Sequence, residues 1–237
     1  MKDKLLRIIA NTIASNLNGT TDVSLFHGKM GTCMFLYAYA RRSGIKQYEL
    51  WADSMLDDIV HSDKSQMLAS IADGYGGLGI GLCWLLQNGY AKGNTDLILQ
   101  EIDYLLFDNI EMAAFGEKAY NSLFFAPSIY LSWRKFLLPK GDDRAKLWEE
   151  KAKTAQEDFL VAQSKQVQTT FRIGKIESND GLWWAFVLQK TPSPIYYSAI
   201  LQQLQRLQDD FIYEISHINA YLSILGLSII NNTIKNI

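Results

Sequence analysis

The sequence repeats one pattern of glycine, apolar and polar residues at a spacing of 46 residues, and this repeat limits the folds that the chain can adopt. Five matches place a Gly-x-x-Gly motif and an apolar run in register, and two more extend into the next segment. The matched pairs are Ser24 with Ser70, Leu25 with Ile71, Gly28 with Gly74, Gly31 with Gly77, Leu36 with Leu82, Leu56 with Ile102 and Asp57 with Asp103. Self-similarity at a period of roughly 20–50 residues is typical of repeat architectures.

Each copy of the repeat contains two kinds of predicted helix. Residues 32–40 ("TCMFLYAYA") and 79–86 ("GIGLCWLL") are apolar all round, which is typical of a helix that is buried on every side. Residues 52–60 and 97–106 carry apolar side chains at steps of three and four, so they predict amphipathic helices. Each copy is therefore a helical hairpin that begins at a glycine turn, where glycine allows positive φ or a close backbone contact.

We predict an all-α fold of stacked hairpins with a period near 46 residues. Stacked hairpins form either an open solenoid or an α/α toroid, complete or partial. The fully apolar helices favour the toroid, in which they lie inside while the amphipathic helices form the outer layer. Asp57 and Asp103 belong to the outer helices, so we predict that both lie on the periphery.

Three weaker copies extend the repeat toward the C-terminus. They begin at Ser122, at "NDGLWWAFVLQK" from Asn179 and at "HINAYLSILGLSII" from His217. Together with the first two copies they predict a single helical-repeat domain over residues 1–237.

The stretches "SLFHGKMGTCMFLYAYARR" and "SIADGYGGLGIGLCWLLQNGY" resemble repeats of the lanthionine synthetase C-like family. The resemblance is firm over residues 20–110, and it implies an α/α toroid with more hairpins than the copies found in this chain. Family members that act as cyclases close thioether rings in precursor peptides. Their zinc ion, held by two cysteines and one histidine, activates the attacking thiol. The resemblance therefore implies a role in the maturation of a ribosomally made peptide.

The zinc ligands that the resemblance implies are not found in this sequence. No adjacent Cys-His pair exists, and the only two cysteines, Cys33 and Cys83, lie in the apolar runs of the first two copies. The nearest fragment is Phe26-His27-Gly28, which has phenylalanine where the family has its first ligand. Buried cysteine behaves as a small hydrophobic residue. We therefore predict no metal site and no other cofactor.

Three positions directly before a turn glycine are the candidate binding residues. His27 and Asp73 are equivalent in the first two copies, and Asp180 is their counterpart in the fourth. In a toroid they are predicted to line one cavity mouth, where unpaired helix amides favour acidic or thiol-bearing peptide segments. His27 is also a weak candidate for acid/base catalysis. The alternatives are a turn histidine that bonds a backbone carbonyl and an aspartate that caps its helix.

Charge and hydropathy indicate neither a nucleic-acid-binding protein nor a membrane-spanning one. The net charge is −2 with acids and bases mixed, so no basic face indicates nucleic-acid binding. No apolar run approaches the roughly 20 residues that a membrane span needs. The N-terminal segment is interrupted by Arg7 and Asn11 and lacks the apolar core of a signal peptide. We therefore expect a cytoplasmic protein.

Three functions fit these observations. The first is a zinc-free accessory or peptide-binding component whose partners are a precursor peptide or peptide-maturation enzymes. The second is a cavity-based peptide cyclase or other enzyme that uses His27, which is less favoured because the zinc ligand set is missing. The third is a structural helical-repeat scaffold for protein contacts.

Overall fold

The computed structural model describes residues 2–65, 67–108, 126–165, 183, 186–187 and 215–231. Every regular element in these ranges is a helix, which confirms the all-α prediction for the described part of the chain. The helices are α1 (Lys2–Ala14), α2 (Lys29–Ser43), α3 (Lys46–His61), α4 (Tyr75–Gln87), α5 (Thr95–Asp103), α6 (Ala126–Arg134), α7 (Arg144–Lys165) and α8 (Ile215–Ile230). A π-helical turn, Tyr104–Asp108, continues α5, and a 3-10 turn, Lys135–Leu137, continues α6.

The chain divides into two compact units. The terminal unit comprises Met1–Ser62 and Gly174–Ile237, and the central unit comprises Asp63–Ile173. Helices α1, α2, α3 and α8 belong to the terminal unit, whereas α4 to α7 belong to the central unit. The single domain over residues 1–237 stays a prediction.

Helices α2 and α3 of the terminal unit form the predicted hairpin. All side chains from Met30 to Ala40 in α2 are buried, as expected for a helix without a polar face. Helix α3 buries one face only, through Tyr48, Ala52, Met55 and Ile59. Tyr39, late in α2, packs on Tyr48, early in α3, with ring centroids 4.9 Å apart. Lys29, at the start of α2, pairs with Asp58, near the end of α3, so the two helices are antiparallel.

Helix α8 packs beside α2 in the same direction. The hydroxyl of Ser223 lies 3.4 Å from that of Thr32. One turn further along both helices, Gly226 contacts Phe35, because a Cβ added to the glycine would lie 2.1 Å from the phenyl ring. Both pairs are 191 residues apart in sequence, and a constant offset means that the helices are parallel. The most N-terminal and most C-terminal apolar helices of the described chain are thus neighbours.

The central unit repeats this arrangement with α4 and α6. Gly79 of α4 faces the Tyr130 ring of α6, and a Cβ at that glycine would lie 2.6 Å from it. Further along both helices, Gln87 donates a hydrogen bond to the carbonyl of Trp133 over 2.9 Å. These contacts follow one another in the same order along both helices, so α4 and α6 also run in the same direction.

The glycine turns before α2 and α4 have the same backbone geometry. Gly28 has φ −113° and ψ −162°, while Gly74 has φ −131° and ψ −170°. The first amide of each helix donates over 2.8 Å to the carbonyl seven residues earlier, from Lys29 to Asp22 and from Tyr75 to Leu68. Two turns that are 46 residues apart therefore share conformation and hydrogen bonding.

Glycine is needed at these two positions because of a close backbone contact and not because of a positive φ. A Cβ at Gly28 would lie 2.4 Å from the amide nitrogen of Ser24, and one at Gly74 would lie 2.1 Å from the carbonyl oxygen of Leu68. Both distances are far below van der Waals contact, so the loop can fold onto the helix start only without a side chain there.

We predict that Gly28→Ala and Gly74→Ala each lower the free energy of unfolding by about 1–3 kcal/mol, because the new methyl group forces the loop away from the helix. Urea denaturation of the full chain measures the change. Gly44→Asn is the control, since Gly44 has φ +72° with no neighbouring atoms and asparagine tolerates that conformation. Equal effects of all three substitutions would contradict the close-contact explanation.

Candidate functional site

His27 lies at the edge of a buried aromatic pair at the start of α2. It is half-buried and directly precedes Gly28, the N-cap residue. Its ring meets Phe26 edge-on, with centroids 6.2 Å apart. Phe26 is 1% exposed and stacks on Trp183, with centroids 5.7 Å apart and planes 16° apart. The aromatic pair therefore fixes the backbone that presents the imidazole.

The helix amides at this turn are largely occupied by the preceding loop. The amide of Lys29 donates to the Asp22 carbonyl, and the amide of Met30 donates over 3.3 Å to the Ser24 carbonyl. In the loop before α4, the carbonyl of Ser70 likewise accepts a hydrogen bond from the amide of Gly77. The expected set of unpaired amides, which would favour acidic ligands, is therefore reduced at both helices.

The three predicted binding positions differ in what the structure describes of them. His27 belongs to the terminal unit and Asp73 to the central unit, and Asp180 lies outside the described residues. Asp73 is exposed, and its amide donates over 3.3 Å to the hydroxyl of Ser70. Gly74, one residue later, holds the N-cap position of α4. The convergence of the three positions on one opening stays a prediction.

Three buried polar atoms near the start of α2 have no hydrogen-bond partner within the described structure. They are the hydroxyl of Ser24, the indole nitrogen of Trp183 and the amide oxygen of Asn219. Unsatisfied buried polar atoms are uncommon in native proteins. Neither Ser24, which is a matched position of the repeat, nor Asn219 was among the binding residues predicted from the sequence. A signal exists for Asn219, which is a lone amide among the apolar residues of "HINAYLSILGLSII".

Both cysteines are buried and free, as predicted. The thiol of Cys33 donates over 3.4 Å to the carbonyl of Ala52. Burial raises the pKa of both the Cys33 and the Cys83 thiol, which disfavours the thiolate form of each.

A zinc ion of the kind that the family resemblance implies does not fit these residues. Its ligands would be two thiolates and one imidazole, but both thiols are fully buried; that of Cys33 already donates to the Ala52 carbonyl, and that of Cys83 lies beside Tyr130. No group of three histidine, cysteine, aspartate or glutamate side chains is arranged to hold a metal in the residues that the structure describes.

The central unit contains a buried ion-pair cluster that sequence reasoning missed. Arg134 is 0% exposed, and its guanidinium bonds Asp103 through Nε and Nη2 over 3.1 Å and Asp96 through Nη2 over 2.6 Å. Tyr130 donates to Asp103 over 2.6 Å. The guanidinium also lies 5.6 Å from the centroid of Trp148. The cluster therefore connects α5, α6 and α7.

This cluster overturns one expectation about the outer helices. Asp57 is exposed as predicted, but Asp103, its counterpart 46 residues later, is only 8% exposed. The position is buried because Tyr130 and Arg134 from α6 cover it. The spacing of Asp96 and Asp103 was a usable signal, since two acids seven residues apart lie on the same face of a helix.

The pKa values of the two carboxylates in the cluster are shifted in opposite directions. Burial raises the pKa of Asp103, even though Tyr130 and Arg134 bond it. Hydrogen bonds from Arg144 and then Arg134 lower the pKa of the more exposed Asp96. The cluster thus holds α5, α6 and α7 together, and its two acids differ in their exposure to solvent.

Comparison with models of known protein families, with characterised proteins and with solved structures found no match for this chain. No helix among the described residues is both long and apolar enough to cross a membrane.

We predict that the stabilising effect of Asp96 is lost in acid. Because its pKa is lowered by folding, the ion pairs contribute stability above the ordinary value of 3.8 and lose it as the pH falls below that value. The measurement compares the free energy of unfolding of the wild type and Asp96→Asn by urea denaturation, from neutral pH to below pH 3.8. The difference between them should shrink as the pH falls.

Glu101→Gln is the matched control, because Glu101 is an exposed acid on the same helix. A difference for Asp96→Asn that stays constant through the acid range would contradict this assignment.

Proposed function

We propose that this chain is a shortened, divergent lanthionine synthetase C-like protein that binds a peptide during its maturation and does not itself perform zinc chemistry. In this proposal its hairpins form an α/α toroid with a period near 46 residues. The partner is a ribosomally made precursor peptide, alone or with a peptide-maturation enzyme.

The observation that carries the proposal is the shared geometry of the turns before α2 and α4. These turns hold the residues on which the family resemblance rests, and both have the same hydrogen bond from the first helix amide to the carbonyl seven residues earlier. A shared turn at a fixed period supports a true structural repeat.

Helix packing gives a second line of support. In stacked hairpins each outer helix returns the chain, so consecutive inner helices run in the same direction. The pairs α2 with α8 and α4 with α6 are parallel in this way, each within its own unit. The contact of α2 with α8 joins early and late parts of the chain, as the closure of a ring requires.

Binding is favoured over catalysis because of the groups present near His27. The turn offers an imidazole and aromatic rings, which suit contact with a peptide. The thiols that would bind zinc are buried, which disfavours their thiolate form. In this account His27 contacts the peptide and does not serve as an acid or base.

We expect a fluorescein-labelled synthetic peptide rich in Ser, Thr and Cys to bind the full chain, measured by fluorescence anisotropy. His27→Ala should weaken binding roughly tenfold, the effect of losing one significant contact. Asp57→Ala should leave binding unchanged, because Asp57 is an exposed residue of the outer face of α3.

Two further measurements complete this test. Incubation with a chelator should not change the affinity, and elemental analysis should find no stoichiometric zinc. Failure of the peptide to bind, or binding that needs zinc and is lost in Cys33→Ser, would contradict the proposed function.

A further inference from the structure

The three partnerless polar atoms of the terminal unit surround a single helical turn. Ser24 lies against Gly28, since its amide nitrogen would be 2.4 Å from a Cβ there. The indole of Trp183 covers Gly31, because its Cζ2 atom would lie 2.5 Å from a Cβ at that position. Cζ2 is two bonds from the indole nitrogen, so the unpaired N–H also lies beside this turn.

Asn219 reaches the same level from the neighbouring helix. Its backbone carbonyl accepts a 2.6 Å hydrogen bond from the hydroxyl of Ser223, one turn later on α8. Ser223 is level with Thr32, and Thr32 is one turn after Gly28, so the parallel helices bring Asn219 level with Gly28. The side-chain Nδ2 of Asn219 donates over 2.8 Å to the carbonyl of Asn16, which leaves Oδ1 of Asn219 as the unpaired atom.

The chemistry of these three atoms is neutral and includes both donors and an acceptor. The indole N–H donates, the serine hydroxyl donates or accepts, and the asparagine oxygen accepts. Every buried polar residue described in the terminal unit is uncharged; these residues are Ser24, Thr32, Asn219, Ser223 and Ser228. Lys29, in the same turn, is half-buried and already pairs with Asp58, so no uncompensated cation described in this turn would balance an anionic ligand.

An amide group matches this set. An amide carbonyl is an acceptor that suits the Trp183 indole and the Ser24 hydroxyl, and an amide N–H is a donor that suits Oδ1 of Asn219. An unpaired buried polar group destabilises the fold, and a ligand that supplies the missing partner recovers that cost. Retention of such groups at one turn is typical of a site where function opposes stability.

We propose that the start of α2 in the terminal unit is a binding site for a neutral peptide amide, formed by Ser24, Trp183 and Asn219. This inference rests on the proposed peptide-binding function and specifies its ligand chemistry as uncharged backbone, in place of the acidic or thiol-bearing segments that the sequence indicated. Because the three atoms are buried, a local movement of side chains accompanies binding.

The test follows the indole N–H resonance of Trp183 in the full chain by NMR, assigned from its absence in Trp183→Phe. The probe is the capped tripeptide acetyl-Ala-Ala-Ala-amide, and acetate is the anionic comparison. We expect the tripeptide to shift this resonance and acetate to leave it in place. Trp51→Phe, which alters a residue of α3, should leave the Trp183 response unchanged.

The variants Ser24→Ala and Asn219→Leu should each weaken the tripeptide affinity roughly three- to tenfold, as expected for one lost hydrogen bond. Ser228→Ala, further along α8, should bind like the wild type. Thermal unfolding of each variant shows that it is folded, and Trp183→Phe retains a ring to stack on Phe26.

Two results would overturn the inference in distinguishable ways. If other resonances report tripeptide binding while that of Trp183 stays fixed, or if acetate shifts Trp183 equally, the amide site is wrong and the peptide-binding function stands. If neither the tripeptide nor the longer labelled peptide binds, both proposals fail. An unshifted Trp183 in the presence of bound peptide is the result expected if the three atoms hold only water.

Discussion

The structure depends on the contact between a loop carbonyl and the first amide of the buried helices α2 and α4. In both turns the carbonyl seven residues earlier accepts from that amide over 2.8 Å, and the chain approaches so closely that only glycine fits at Gly28 and Gly74. Helices commonly satisfy such amides with a side chain at the N-cap. Here backbone atoms do so, and the residues before the glycine, His27 and Asp73, do not occupy the N-cap position.

The two units use different means to bury polar groups. The described part of the terminal unit buries only neutral groups, and three of its polar atoms have no partner. The central unit buries Arg134, whose Nε and Nη2 bond Asp103 and Asp96 while its Nη1 has no hydrogen-bond partner among the described residues. A buried charge is costly unless it is paired and hydrogen-bonded, so the central cluster is committed to structure. In the described part of the chain, the terminal unit thus has three unpaired neutral atoms near the start of α2, whereas the unpaired atom of the central unit belongs to a cation that two carboxylates already compensate.

Local sequence patterns predicted the helices and the matching turns before α2 and α4 but not the contacts made across hairpins. The apolar run of α2, the one-sided burial of α3 and the buried thiols follow from periodicity and residue type. The register also matched Asp57 with Asp103, yet only Asp103 is buried. The cause is Arg134, which comes from a helix that follows Asp103 by more than 20 residues of sequence. A repeat predicts equivalent backbone positions, whereas the burial of each side chain depends on its own neighbours.

The central claim is that apolar helices far apart in sequence lie parallel and in contact, as α2 and α8 do. Disulfide formation between Thr32→Cys and Ser223→Cys, with Cys33→Ala and Cys83→Ala to remove the native thiols, tests it most directly. The two hydroxyl oxygens are 3.4 Å apart, so the replacing sulfur atoms need only a small approach to bond at about 2 Å. Mass spectrometry of the oxidised, proteolysed protein should find this cross-link in nearly all molecules and no cross-link when Thr32→Cys is paired with Ser228→Cys. No cross-link in the Thr32 and Ser223 pair, or equal cross-linking of both pairs, would contradict the account.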